Sequence, residues 1–120
     1  MITILHILVL VTFLGDMLLT YRYVKTYKKL YPKGDYTLAE ANFILRKCMK
    51  YLGLEKGMMV GSTIILLILI LFVNLFSNNF MFFLLGMYFM ANIYHFVNWQ
   101  AMKRLIKTKN ESKKKGGKKK

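Results

Sequence analysis

Five acidic residues occur in this 120-residue chain, and one of them, Asp16, interrupts a stretch that is otherwise apolar. Residues 2–19 carry only His6, Asp16 and threonine as polar side chains. A carboxylate at the centre of a membrane helix costs about 2.5–3.5 kcal/mol on insertion scales, so an acid in such a stretch needs a partner or a purpose. Asp16 falls about one turn from the end of the stretch, where the penalty is smaller. Thr12 and Thr20 sit one turn to either side of it, on the same helical face. A second polar stripe recurs near the other end of the chain. Tyr88, Asn92, His95 and Trp99 follow one another at helical spacing, with Asn98 on the shoulder. Asp16 and His95 both lie close to basic sequence, which puts them at similar depth. An Asp–His pair would satisfy both groups and could carry a proton. The plainer account is hydrogen bonding between helices, which contributes about 0.6–2 kcal/mol per contact. Asp16, Thr20, Asn92 and His95 are therefore the candidate polar site, with Glu40, Asn42, Tyr88 and Trp99 around it.

Other chemistry is poorly provided for. The single cysteine, Cys48, excludes an internal disulfide, and no Cys/His spacing suits zinc. Two histidines and one intramembrane aspartate make a weak ligand set, since His6 lies toward the opposite end of its stretch. No Ser/His/Asp or Cys/His constellation, phosphate-binding loop or His-Glu-x-x-His is present. No metal and no cofactor are expected.

The elements that must position these residues are legible from hydropathy and charge. Residues 57–76 carry no charge, and residues 80–97 carry none unless His95 is protonated. With residues 2–19 they make three apolar stretches, each able to cross a hydrocarbon core of about 30 Å at about 1.5 Å per helical residue. The continuous apolar runs exclude a β-barrel, which needs alternation. The expected fold is an all-α integral membrane protein with three transmembrane helices and one cytoplasmic amphipathic helix. The first span covers residues 1–20, the second 57–76 and the third 80–99. An outer turn at 77–79 joins the last two as an antiparallel hairpin. The first span has no basic segment before it and no Ala-x-Ala site, so it is expected to be a retained span and not a signal peptide.

All 19 Lys and Arg residues fall in residues 21–56 and 100–120, and the formal net charge is +14. Basic loops stay on the cytoplasmic side, so the N-terminus is expected outside and the C-terminus inside. Tyr21, Tyr23, Tyr27 and Tyr31 interleave with Arg22, Lys25, Lys28 and Lys29 as an interfacial belt, and Pro32 with Gly34 ends the first helix. Thr37-Leu38-Ala39-Glu40 matches a capping box opening a helix over about residues 38–52. Leu38, Ala41, Leu45, Cys48 and Leu52 form its apolar stripe, Arg46, Lys47 and Lys50 lie opposite, and Gly53 stops it. Such a helix is expected in the headgroup layer, with packing beneath the spans or against a partner as the alternatives. Asn42 interrupts the apolar stripe. The end of the chain, from Asn110, is Lys/Gly/Ser-rich and expected to be disordered. Its Lys113, Lys114, Lys115, Lys118, Lys119 and Lys120 suit anionic lipid headgroups better than nucleic acid, at about 1 kcal/mol per basic residue near the surface.

Asp16-x-x-x-Thr20 at the end of a first span, followed by Glu40-Ala41-Asn42, resembles a pattern in small uncharacterised prokaryotic, often archaeal, multi-span membrane proteins. Those proteins carry Asp-x-x-x-Thr and then Glu-x-Asn, commonly with Pro next, where this chain has Phe43 and a longer intervening loop. The resemblance implies a site at Asp16, Thr20, Glu40 and Asn42, and implies no particular activity.

Three functions fit these features. A non-enzymatic subunit or assembly partner of a membrane complex accounts for the polar stripes and for the small residues Gly61-Ser62-Thr63, which permit close helix approach. A self-assembling pore former of the holin type shares the three spans and basic tail but not the long inner loop. A proton-coupled carrier or intramembrane enzyme would use Asp16 and His95. Partners are accordingly the lipid bilayer and either further copies of the chain or another membrane protein. The orientation is testable: protease added to spheroplasts should spare the basic C-terminal segment, and its cleavage would reverse the topology.

Overall fold

The structure, a computed structural model, describes residues 3–117 apart from 41, 74 and 76, and for Phe72 and Val73 the backbone alone. Among these residues the chain is all-helical: α1 (Ile4–Leu30), a 3₁₀ turn (Tyr36–Ala39), α2 (Phe43–Leu52), α3 (Leu54–Val73) and α4 (Asn78–Gly117). Helices α1, α3 and α4 are long and apolar enough to cross a membrane. The molecule measures 68 × 27 × 16 Å.

The central interface joins α1 to α4. Val9, Phe13, Asp16, Thr20 and Tyr23 are buried on α1, at steps of four, three, four and three. Met81, Tyr88, Asn92, His95 and Trp99 follow the same period on α4. This 3.5-residue repeat is the seam of two helices packed side by side. Phe13 meets Tyr88 edge-on at 5.6 Å, and Arg22 lies 5.2 Å from the Trp99 ring. The contacts climb both helices in the same direction, so α1 and α4 are parallel. Helix α1 stops at Leu30, with Tyr31 as its cap, because Pro32 disfavours helix in the residue before it.

The start of the next helix differs from the expected capping box. Asp35, not Thr37, supplies the first cap: its Oδ1 accepts from the Thr37 N–H at 3.0 Å and from the Thr37 hydroxyl at 2.6 Å. These bonds favour the charged carboxylate and hold Asp35 below the usual aspartate pKa. With its hydroxyl engaged there, Thr37 opens only a 3₁₀ turn. Glu40 is extended, and its Oε1 accepts from the Asn42 N–H at 2.6 Å. Asn42 then caps α2, accepting from the N–H groups of Ile44 at 3.0 Å and Leu45 at 3.3 Å. Asn ranks among the best N-caps, so the interruption of the apolar stripe is the helix start itself.

Helix α2 packs on α3. Leu45 and Met49 are fully buried, Leu38 and Leu52 are exposed, and Cys48 is half-buried. Ala41 lies outside the described residues. Gly57 and Gly61 form the seat on α3. A Cβ on Gly57 would lie 2.4 Å from the Met49 Cα, and one on Gly61 would lie 2.8 Å from a Leu45 methyl. The helix is thus held by tertiary packing, and of the small residues expected to permit close helix approach Gly61 receives α2. Ser62 and Thr63 donate to carbonyls of their own helix. Gly53 joins the two helices at φ +83°, a conformation that favours glycine, and α3 begins at once with Leu54.

Two further expectations give way. The anticipated hairpin of the last two spans does not form: α3 and α4 do not pack on each other among the described residues, because α4 turns its polar face to α1. The residues expected as an outer turn, Asn78 and Asn79, already belong to α4, with the Ser77 hydroxyl accepting from the Phe80 N–H at 3.3 Å. The basic tail is also helical as far as Gly117. A helix nucleated in the apolar segment propagates at one hydrogen bond per residue through lysine and glutamate, both good helix formers, and lysines complement its C-terminal dipole.

Gly57→Ala should lift α2 from its seat. The expected cost is about 1–3 kcal/mol for overpacking, with faster maleimide labelling of Cys48. Gly86→Ala, where nothing lies within 4 Å of the new Cβ, gains the same helix propensity and should leave both unchanged. Equal labelling rates in the two variants would show that the glycine seat does not hold α2.

Candidate functional site

Asp16 and Thr20 are brought to one face of α1 by their four-residue spacing, and His95 faces them from α4. His95 Nδ1 lies 2.7 Å from Asp16 Oδ1 and 3.2 Å from Thr20 Oγ1. A carboxylate only accepts, so Nδ1 carries the proton and donates to Asp16, with the threonine oxygen beside the same nitrogen. Asp16 is 6 % exposed, His95 8 % and Thr20 0 %, so water does not compete for these bonds. The contact is an ion pair when His95 is protonated.

Asn92 sits one turn before His95 on the same face. Its amide donates to the Thr12 carbonyl at 2.8 Å and to the Tyr88 carbonyl at 2.6 Å. It crosses to α1 in the space left by Gly15, where a Cβ would lie 2.8 Å from Asn92 Oδ1. The Thr12 hydroxyl turns back onto its own helix, to the Leu8 and Val9 carbonyls. The Thr12 backbone, not its side chain, therefore completes the layer. Tyr88 packs its ring on Phe13, at the apolar edge of the cluster.

Two residues from outside this helix pair approach it. Glu40 is 3 % exposed and near enough for its charge to act on both His95 and Tyr23. The 3₁₀ turn packs against α1 and brings it there. Asn42, two residues on, is taken up with capping α2. The rings of Tyr23 and Tyr94 flank the imidazole at 5.9 and 5.5 Å. Neither tyrosine is marked in the sequence, because both look like ordinary interfacial aromatics. Gly15 is equally silent there, since only the position of Asn92 gives it meaning. Trp99 lies apart from the buried pair, with Arg22 and Lys103 against its ring.

His6 stands far from this site, with its Nδ1 accepting from the Thr3 N–H at 3.1 Å at the start of α1. Lys113, Lys114 and Lys115 are exposed on the last turns of α4, and residues 118–120 lie outside the described part of the chain. Among the described residues no group of three His, Cys, Asp or Glu side chains could hold a metal ion. Asp16, His95 and Glu40 thus form a pair with a nearby charge, not a chelating triad. No protein-family model, curated protein or solved structure matches the chain.

The bond between Asp16 and His95 should appear as coupling. In detergent micelles, Asp16→Ala and His95→Ala should each destabilise the α1–α4 pair, and the double variant should lose less than the two losses added. The expected coupling is about 0.5–3 kcal/mol, read from unfolding followed by circular dichroism. Strict additivity would mean two independent residues.

Proposed function

We propose that the chain is a multi-pass membrane protein with no enzymatic role of its own, a subunit or assembly partner of a membrane complex or homo-oligomer. In this reading α1, α3 and α4 cross the bilayer, with the N-terminus outside and the C-terminus in the cytoplasm. The parallel run of α1 and α4 supports that arrangement, because it gathers both basic blocks at one end. Large exposed apolar residues on the long helices, such as Met59 at 72 %, Leu71 at 71 % and Met90 at 64 %, suit lipid or another apolar helix.

One observation carries the assembly role: α3 is left half supported. Its buried residues, Leu54, Gly57, Met58, Gly61 and Ile65, stop well short of its C-terminal end at Val73. Beyond Ile65 none of its described side chains is buried, and α4 does not cover it. In lipid, apolar area gives no drive for helix pairing, so close packing and polar contacts decide which helices associate. The pair α1–α4 has both, while the far half of α3 has only the partly buried Leu66 and Leu69 against the core. A neighbouring helix would supply the packing. The polar site then acts as a lock: Asp16, Thr20, Asn92 and His95 hold α1 and α4 in register. The resemblance to small multi-span proteins with Asp-x-x-x-Thr and Glu-x-Asn names the same residues and no activity; in this reading Glu40 and Asn42 fasten the loop.

A second reading, a proton-coupled carrier, draws on the buried Asp16–His95 bond, with buried Glu40 on the turn packed against α1 as a second acid. Purification in mild detergent with mass determination separates the two. An assembly partner should run as a homo-oligomer or with a second protein. Polar or charged substitutions at Leu67 and Leu71, exposed on the far half of α3, should dissociate it. A stable single chain, unchanged by those substitutions, would leave the carrier as the better account.

A further inference from the structure

Where α1 ends and α4 continues, the two helices enclose an open groove of about 640 Å³. Lys29 lines it from α1, and Trp99, Lys103, Lys107 and Lys114 line it from α4. Glu111 is its one acid, so four lysines less one glutamate leave a formal +3. None of these lysines makes an ion pair among the described residues. The Lys103 ammonium lies 4.6 Å from the centre of the Trp99 ring, and the Arg22 guanidinium 5.2 Å from it. At its other edge Trp99 meets Phe96, with ring centres 6.2 Å apart, and Phe96 is half exposed. Over a single turn of α4 the surface thus passes from aromatic to unpaired cationic.

We propose that this groove binds an anionic phospholipid. Its phosphate sits among Lys29, Lys103 and Lys107, and its acyl chains run past Phe96. The inference rests on the membrane-spanning reading above. The apolar end favours a lipid over a soluble polyanion, which would have no use for Phe96 beside its charge. Lysine is a flexible point charge that suits a single phosphate, and tryptophan is at home at headgroup level. The site differs from a diffuse basic tail in being specific: lysines in the groove matter, and lysines on the other faces of the same helix do not.

Trp99 is the only tryptophan in the chain and reports on the groove directly. The full chain is reconstituted in phosphatidylcholine vesicles with either brominated phosphatidylglycerol or brominated phosphatidylcholine, whose bromines quench indole fluorescence on contact. Brominated phosphatidylglycerol should quench at about thirtyfold lower mole fraction, as expected for two lysines acting at the surface. Lys103→Gln with Lys107→Gln should abolish the difference. Arg104→Gln with Lys109→Gln removes the same charge from exposed positions of α4 outside the groove and should preserve it. Equal quenching by the two lipids, or equal loss in both double variants, overturns the site and leaves the spans intact. Absence of quenching by either lipid overturns the spans as well. Relief of phosphatidylglycerol quenching by a single-stranded oligonucleotide would assign the groove to a soluble polyanion and overturn the lipid.

Discussion

A buried carboxylate must be matched, and the arrangement of this molecule follows from how Asp16 is matched. Removing a charge from water is costly unless a partner replaces the lost hydrogen bonds. Asp16 finds that partner in His95, 79 positions away in sequence. Sliding α4 along α1 by one turn would leave both groups without their bond, so the contact sets the register of the pair. Asn92 repeats the device one turn away, by bonding the backbone of α1. Polar residues at such seam positions are the best-attested means of fixing register and partner in paired helices. Once α1 and α4 are locked in parallel, α3 must run the other way between them in sequence, and both basic segments fall at one end.

The second device is steric. Gly57 and Gly61 are one turn apart on α3, and together they let the backbone of α2 approach more closely than any side chain would permit. Spacing of this kind in an apolar helix is usually associated with pairing of two spans. Here the short helix before α3 takes the place. Docking α2 has a consequence for the polar site, because the segment from Asp35 to Asn42 must return along α1 to begin α2. Glu40 is carried back with it and buried in range of His95. The lock between α1 and α4 and the seat between α2 and α3 are thus linked through one acidic residue. Tyr36 adds a further tie, donating from its hydroxyl to the Met49 carbonyl at 3.2 Å.

Charge organises the other end of the molecule. Lysines projecting from α1 and α4 face each other across a groove, and none is paired with an acid among the described residues. Mutual repulsion there is tolerated because the apolar halves of the same helices are held together by packing and by the buried pair. That division of labour leaves the cationic surface available to something anionic. It also accounts for a single helix of 40 residues in which one end is apolar and the other strongly basic.

Residue type and spacing alone determined the helical class, the three long apolar segments and the two polar stripes, since each is a local pattern of period 3.6 or a run of uniform hydropathy. Similar depth for Asp16 and His95 was legible for the same reason, because both lie a short way from basic sequence. Local patterns also misled. Thr37 and Glu40 have the spacing of a capping box, but Asp35 takes the Thr37 N–H, and Asn42 caps the helix further on through the N–H groups of Ile44 and Leu45. The lysine-rich end has the composition of a disordered tail, but composition does not register that a helix already formed can simply continue. Only the tertiary structure decided that α4 pairs with α1 and not with its neighbour α3, that α2 occupies the glycine seat, and that Gly15, Tyr23 and Tyr94 belong to the polar site. The physical reason is common to all three. Which apolar face meets which depends on shape complementarity and on the partners of a few buried polar groups, and neither is written in any stretch of sequence by itself.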